Sequence, residues 1–90
     1  MTKAVITVIG KDTVGIIAGI CTYLAEKKIN ILDISQTIVS GYFNMMMIVD
    51  LSGCSENFEV ISGDLEKTGK DIGVVVKCQR EDIFDSMHRI

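Results

Sequence analysis

The sequence predicts an α+β sandwich, in which a four-stranded antiparallel sheet carries two helices on one face. Strand-like apolar runs alternate with segments of helical period, in the order β, α, β repeated twice. The chain of 90 residues fits one domain. We therefore expect a single domain over residues 1–90, with its core at 3–79 and a helical extension at 80–90.

The first predicted strand is central and leads into the first helix. Residues 3–9 are rich in β-branched side chains and are apolar on both faces, which is typical of a strand inside a sheet. From Val14 to Lys28 apolar residues recur at helical spacing, and Lys27 and Lys28 suit the negative end of a helix dipole. A strand, a tight turn and a helix follow one another here.

A hairpin comes next. From Asn30 to Ser40, Leu32, Ile34 and Ile38 alternate with polar residues, which predicts an edge strand with one apolar face. Gly41 makes the reversal, and residues 42–51 form the partner strand.

The second half repeats this order. Apolar residues at helical intervals predict a second helix from Phe58, ended by Gly69 or Gly73, and residues 74–79 form the last strand. Residues 80–90 predict a short terminal helix. Because each of the two main helices has one apolar face, both must cover the same side of one sheet, which is the ferredoxin-like arrangement.

Composition excludes several classes of protein. Hydrophobic residues make up 48% of the chain and charged residues 23%, so a disordered chain is excluded. The net charge of −3 offers no attraction to nucleic acid or to an anionic membrane. High apolar content in so small a domain predicts a homodimer or a higher homo-oligomer.

No apolar stretch reaches the roughly 20 residues that span a bilayer, and residues 1–9 lack the features of a secretory signal. We therefore expect a cytoplasmic protein. Cys21, Cys54 and Cys78 form no C-x-x-C pair, and His88 is the only histidine, so we predict reduced thiols, no metal and no cofactor.

The turn after the first strand is the candidate binding site. Gly10 and Gly15 permit backbone angles or close contacts that a Cβ forbids. The unpaired N–H groups of a helix start favour a carboxylate or phosphate ligand. Asp12 is the one carboxylate in the turn, and an alternative is that it only caps the helix.

Three motifs of this chain resemble the ACT domain, the small regulatory module of amino-acid metabolism. They are the turn Gly10-Lys11-Asp12-Thr13-Val14-Gly15-Ile16-Ile17-Ala18, the helix end Tyr23-Leu24-Ala25, and the run Ile29-Asn30-Ile31-Leu32-Asp33-Ile34-Ser35-Gln36. The resemblance covers residues 3–79 and is to stand-alone ACT proteins and regulators related to the glycine-cleavage repressor. It implies an allosteric, amino-acid-binding homodimer whose ligand lies where the turn between the first strand and the first helix of one copy meets the start of the second strand of the other.

The resemblance implies a set of ligand-binding residues. Asp12 would accept from a ligand ammonium, the backbone from Val14 to Ile17 would donate to a carboxylate, and Asn30 would bind either end. The full predicted set is Asp12, Thr13, Val14, Gly15, Ile16, Ile17, Asn30 and Gln36. The chain departs from the family at Thr13-Val14, where many ACT domains have Arg-Pro.

Other functions stay open alongside this one. The domain could bind a partner protein without a ligand. An acylphosphatase-like hydrolase needs an arginine in the first turn, where only Lys11 stands, and no catalytic constellation can be assembled, so we predict that the protein is not an enzyme. An RNA-binding domain of the same element order needs stacking aromatics and basic flanks, and a metallochaperone needs a C-x-x-C in the first loop.

Overall fold

The computed structural model describes residues 2–11 and 14–81. Its elements are β1 (Lys3–Lys11), α1 (Ile16–Glu26), β2 (Asn30–Val39), β3 (Tyr42–Asp50), α2 (Phe58–Ile72) and β4 (Val75–Arg80). The four strands form one antiparallel sheet in the order β2-β3-β1-β4. The predicted fold class is confirmed.

One face of the sheet holds the core. Ile6 of β1 pairs with Met47 of β3 and with Cys78 of β4, and all three are buried. The other residues of this face and the inner sides of the helices complete the cluster, which includes Ala4, Val8, Ile16, Ile20, Leu24, Phe43, Met45, Val49, Ile61, Leu65 and Val76. The opposite face of the sheet carries no described helix, and we call it the helix-free face.

The first helix is shorter than its apolar pattern predicts. Gly15 precedes it with φ of 94°, and Val14, which we placed in the helix, lies outside it and is fully exposed. At the other end Lys28 adopts φ of 60°, and the Ile29 N–H donates to the Leu24 carbonyl at 2.9 Å. This left-handed turn ends the helix at Glu26, so the last helical turn contains no basic residue.

The hairpin forms as predicted. Ser40 and Gly41 have φ of 52° and 80° between Val39 and Tyr42, which are paired. Two consecutive positive φ angles are the mark of a type I′ turn, whose twist matches that of the strands. Near the start of β2, the register shifts between Ile31 and Asp33, so the alternation read from the sequence is interrupted at Leu32.

The second helix packs closely on the last strand. The Asn57 side chain caps it by accepting from the Val60 N–H at 3.0 Å, and Gly73 ends it with φ of 94°. A Cβ on Gly69 would lie 2.6 Å from Val76 Cγ2, so glycine lets helix and strand approach. Glu81 is already helical, while the predicted terminal helix otherwise lies outside the described residues, at 82–90.

Candidate functional site

The turn after β1 has the two backbone features expected of its glycines. Gly10, near the end of β1, lies against the residue before β4, where a Cβ would come 2.7 Å from Val74 Cγ1. Gly15 has a positive φ with open space around it. One glycine therefore serves close packing and the other a left-handed backbone.

The start of α1 combines a buried anchor with an exposed edge. Ile16 is buried, whereas Ile17 is 38% exposed. Gly15 is the N-cap, so no side chain of the cap residue accepts from the helix, and only the Gly19 N–H returns to the Gly15 carbonyl, at 2.9 Å. The predicted contacts Asp12 and Thr13 lie outside the described residues.

Asn30 lies far from this turn within one chain. It begins β2 and pairs with Asp50, whereas the turn follows Lys11, at the other end of the sheet. Eight strand steps separate the two ends, which is about 27 Å. The structure therefore brings Val14 to Ile17 together and does not bring Asn30 to them.

The remaining predicted contact, Gln36, is exposed in the middle of β2. It pairs with Met45 and borders a shallow depression of about 230 Å³ that Thr7, Ser35, Thr37 and Asn44 also line. Through Met45 it is level with Val8, which lies three steps from Lys11 at the turn end of β1 and five steps from Lys3 at the Asn30 end. The geometry alone gives it no ligand contact within one chain.

The apolar face of β2 is not covered, which the sequence did not indicate. Ile34 and Ile38 pair with the buried residues Met47 and Phe43, so they lie on the helix side of the sheet. They are nevertheless 45% and 59% exposed. We call these two residues, together with the neighbouring unpaired edge of β2, the β2 surface.

The helix arrangement explains this exposure. Gly69 places α2 over β4, and the Tyr23 hydroxyl of α1 donates to Asp64 of α2 at 2.7 Å. Burial and the hydrogen bond to that carboxylate raise the pKa of Tyr23. Since α2 occupies the β4 side and α1 lies beside it, β2 is left outside the two-helix layer.

The end of α1 opposite the turn carries an ion pair. Lys27 Nζ lies 2.6 Å from Glu56 Oε1 and 6.0 Å from the centroid of the Tyr23 ring. The hydrogen bond to Glu56 raises the pKa of Lys27. This pair links the end of α1 to the loop before α2, and it stands at the far end of α1 from the predicted ligand contacts.

Within the part of the chain that the structure describes, the residues that other functions require are not arranged for them. Arg80 pairs with Ala4, at the opposite end of the sheet, so no arginine of the described chain stands beside the turn as an acylphosphatase requires. Tyr42 is exposed on the helix-free face while Phe43 is buried in the core, so the two adjacent aromatics do not form a stacking pair.

A larger groove lies elsewhere. It measures about 450 Å³ between α2 and β4, and Ser62, Glu66 and Lys70 line it together with residues 74–79. None of the predicted contacts that the structure describes borders this groove. Sequence periodicity could not reveal it, because it results from how one helix sits beside an edge strand.

The described residues hold no group of three or more metal-ligating side chains and no helix able to cross a membrane. Cys21, Cys54 and Cys78 are free thiols.

Comparison with known proteins identifies the family. The family model of the ACT domain matches residues 2–79. A UPF0237 protein of Bifidobacterium longum is 61% identical over 90 residues, covering 100% of both chains. A UPF0237 protein of Clostridium acetobutylicum is 57% identical over 88 residues, covering 98% of this chain and 99% of the other.

Solved structures agree with this match. An ACT domain protein from Streptococcus pneumoniae has a TM-score of 0.82 at 40% identity, covering 93% of this chain and 94% of that one. A protein designated a glycine cleavage system transcriptional repressor has a TM-score of 0.75 at 20% identity, covering 88% of this chain and 45% of that one, which shows a shared fold. Sequence motifs, strand order and these matches together show that the chain belongs to the ACT domain family.

Proposed function

We propose that this protein is a regulatory module that binds a small zwitterion, an amino acid, between two copies of the chain. ACT domains are typically regulatory and ligand-binding. The ligand lies between the β1–α1 turn of one copy and Asn30 of the partner subunit. The protein acts as an allosteric homodimer in the cytoplasm, without catalysis, metal or cofactor.

The separation of the turn and Asn30 carries this proposal. If β2 pairs with β2 of a second copy about a two-fold axis, the strands run antiparallel, and the start of one lies beside the end of the other. The end of β2, Val39, is beside Tyr42, which is beside Lys11. Three strand spacings, about 14 Å, then separate Lys11 from Asn30 of the partner subunit.

The β2 surface supports such a pairing. Ile34 and Ile38 would leave water, and the unpaired edge would gain a neighbour. The Asp33 carboxylate now accepts from the Ile34 N–H at 2.9 Å, so the irregular start of β2 holds one donor within its own chain. Pairing therefore involves chiefly the regular part of the strand after the bulge.

The polar groups of the turn and of Asn30 from the partner subunit match those of a zwitterion. N–H groups in the first turn of α1 point toward the loop, where a carboxylate is favoured. Asp12 supplies a negative charge for an ammonium, and the amide of Asn30 from the partner subunit can donate or accept. The ligand would therefore need both subunits for its complete set of partners.

A ligand-free interaction module is the second candidate. Thr13-Val14 replaces the Arg-Pro of many ACT domains, which removes one anion-binding cation from the turn. The exposed β2 surface would serve equally for pairing with a strand of another protein. This candidate predicts assembly through β2 with no response to amino acids.

A charge-selective substitution tests ligand binding at Asp12. Asparagine has the size of aspartate and keeps one side-chain acceptor oxygen, so Asp12→Asn removes the charge with little change of shape. We expect the wild-type protein to bind at least one amino acid of a full panel in titration calorimetry. We expect Asp12→Asn to weaken that binding by about 1–3 kcal/mol, with an unchanged melting temperature.

Asn30→Ala is the companion variant, and Asn44→Ala, on β3, is its matched control. Loss of affinity in Asn30→Ala but not in Asn44→Ala supports the shared site. A panel that gives neither heat nor a melting shift would refute the ligand and favour the ligand-free module. Equal binding by wild type and Asp12→Asn would remove Asp12 from the site.

A further inference from the structure

The helix-free face of the sheet is covered at one end only. On this face β1 presents Val5 and Ile9, four residues apart. Val5 is 3% exposed, whereas Ile9 is 54% exposed. Both residues lie between two neighbouring strands, β3 and β4, so strand pairing does not explain the difference.

The cover over Val5 does not belong to the core. Val5 is not part of the buried cluster that the helices make with the other face of the sheet. Ile48, which pairs with Val5, is half-buried, while Met46 and Val75, nearer to Ile9, are exposed. Burial on this face is therefore confined to the end of the sheet that carries Val5 and Ile48.

The covered end is the end at which β4 finishes. Gln79 pairs with Val5, Arg80 pairs with Ala4, and the backbone is helical at Glu81. Nine residues follow, 82–90, with apolar side chains at helical spacing: Ile83, Phe84, Met87 and Ile90. A helix of this length measures about 13 Å, and three strands are about as wide.

We propose that residues 82–90 form a helix whose apolar stripe packs on the helix-free face over Val5 and Ile48. The segment also carries Asp82, and Lys3 and Lys77 lie on the face that it would cover. The end of the sheet near Ile9 stays open. This proposal is independent of the ligand site, because it concerns the opposite end of β1.

The cover has a consequence for assembly. A second copy could not stack its sheet over Val5, since the terminal segment of the same chain already occupies that area. The β2 surface stays accessible, because it lies at the edge and on the helix side. The terminal segment would therefore direct self-association away from the helix-free face and toward β2.

Solvent accessibility of methyl groups tests the cover in the full-length chain. A soluble paramagnetic gadolinium chelate enhances the relaxation of exposed methyl groups. We expect weak enhancement at Val5 and strong enhancement at Ile9 in the wild type. The double variant Phe84→Ser, Met87→Ser should raise the enhancement at Val5 toward that of Ile9, while Asp85→Ser, on the opposite side of the predicted helix, should leave it unchanged.

Three results would overturn the proposal. One is an unchanged Val5 enhancement in a double variant whose core methyl shifts, at Ile6 and Val8, are those of the wild type. Another is protection of Val5 that disappears on dilution, which would assign the cover to a second copy. If the double variant loses the core shifts, nuclear Overhauser contacts between the Val5 methyls and the Phe84 ring in the wild type decide, and their absence refutes the helix.

Discussion

At the scale of single residues, Gly10 and Gly15 have different structural roles, which only the structure distinguishes. Gly10 is needed for close approach, because a Cβ would meet Val74, and Gly15 is needed for its left-handed backbone. The sequence suggested both needs at this turn but could not assign them. The sequence also does not predict which thiols are buried. Cys21 and Cys78 both stand in apolar segments, yet of these two only Cys78 is buried.

Burial of Cys78 predicts slow reaction with thiol reagents. Desolvation raises its pKa from 9.0 to about 11, because the thiolate is disfavoured away from water. We expect iodoacetamide at pH 8.5 to modify Cys21 and Cys54 before Cys78, as followed by peptide mass spectrometry. In denaturant all three should react alike, and equal rates in the folded protein would contradict the burial.

The raised pKa of Cys78 also makes the stability of the protein depend on pH. The folded pKa of Cys78 lies above the unfolded value, so its contribution to folding is complete below about pH 9 and is lost as pH rises toward 11. The free energy of unfolding should therefore fall across that window.

At the scale of elements, most of the fold could be predicted because local pattern and packing agree. The central position of β1, the hairpin at Gly41 and the capping of α2 by Gly73 all follow from residue types. The limits of α1 could not be predicted from residue types. Gly15 and Lys28 adopt left-handed conformations there, and the apolar pattern of the helix does not indicate them.

The bulge at Leu32 marks the same limit for strands. Alternation predicts which face a residue shares, but one extra residue shifts the register, and nothing in the side-chain pattern signals it. The candidate site was predictable in its turn, whose glycines are visible in the sequence. Its separation from Asn30 depends on strand order, which periodicity alone does not give.

Two glycines of α2 predict opposite responses to the same substitution. In Gly69→Ala the new Cβ would lie 2.6 Å from Val76 Cγ2 and 2.9 Å from the Val74 carbonyl oxygen, so a backbone shift is required. We expect this variant to lose about 1–3 kcal/mol of stability. Gly63→Ala meets nothing within 4 Å, and a mid-helix alanine should add about 0.5–1 kcal/mol.

Urea denaturation of both variants and the wild type checks this pair. Because the two positions lie on the same helix, a difference between them reports packing on β4 and not helix propensity. Stabilisation of both variants would show that α2 and β4 have room between them.

At the scale of the whole molecule, an α+β sandwich with one strand left uncovered by the helices favours association. The two helices cover β4, β1 and β3 but leave Ile34 and Ile38 of β2 exposed. Such an apolar row beside an unpaired edge is the kind of surface that natural proteins either protect or use. In this chain the strand order also makes it the place where a second Asn30 would reach the turn.

A charge on the β2 surface should therefore prevent dimerisation. Ile38→Lys would place an ammonium in the proposed interface, which is costly without a partner. We expect a monomer in light scattering after size exclusion at concentrations where the wild type is a dimer. Thr37→Lys, which adds the same charge on the other face of β2, is the matched control.

Either a monomeric wild type or a dimeric Ile38→Lys would exclude the β2 surface as the interface. A monomeric Ile38→Lys should also fail to bind the amino acid found by calorimetry, because the proposed site requires both subunits.

The contact of Gly10 with Val74 couples the end of β1 directly to the segment that joins α2 to β4. Val74 follows the glycine that ends α2, and the carbonyl of Gly69 holds both the Gly73 and Val74 N–H groups at 2.8 Å. Any displacement of β1 at Gly10 must therefore push on the junction of the second helix with the last strand. Because β1 and β4 are neighbours in the sheet, movement at the end of β1 would be passed directly to the edge strand.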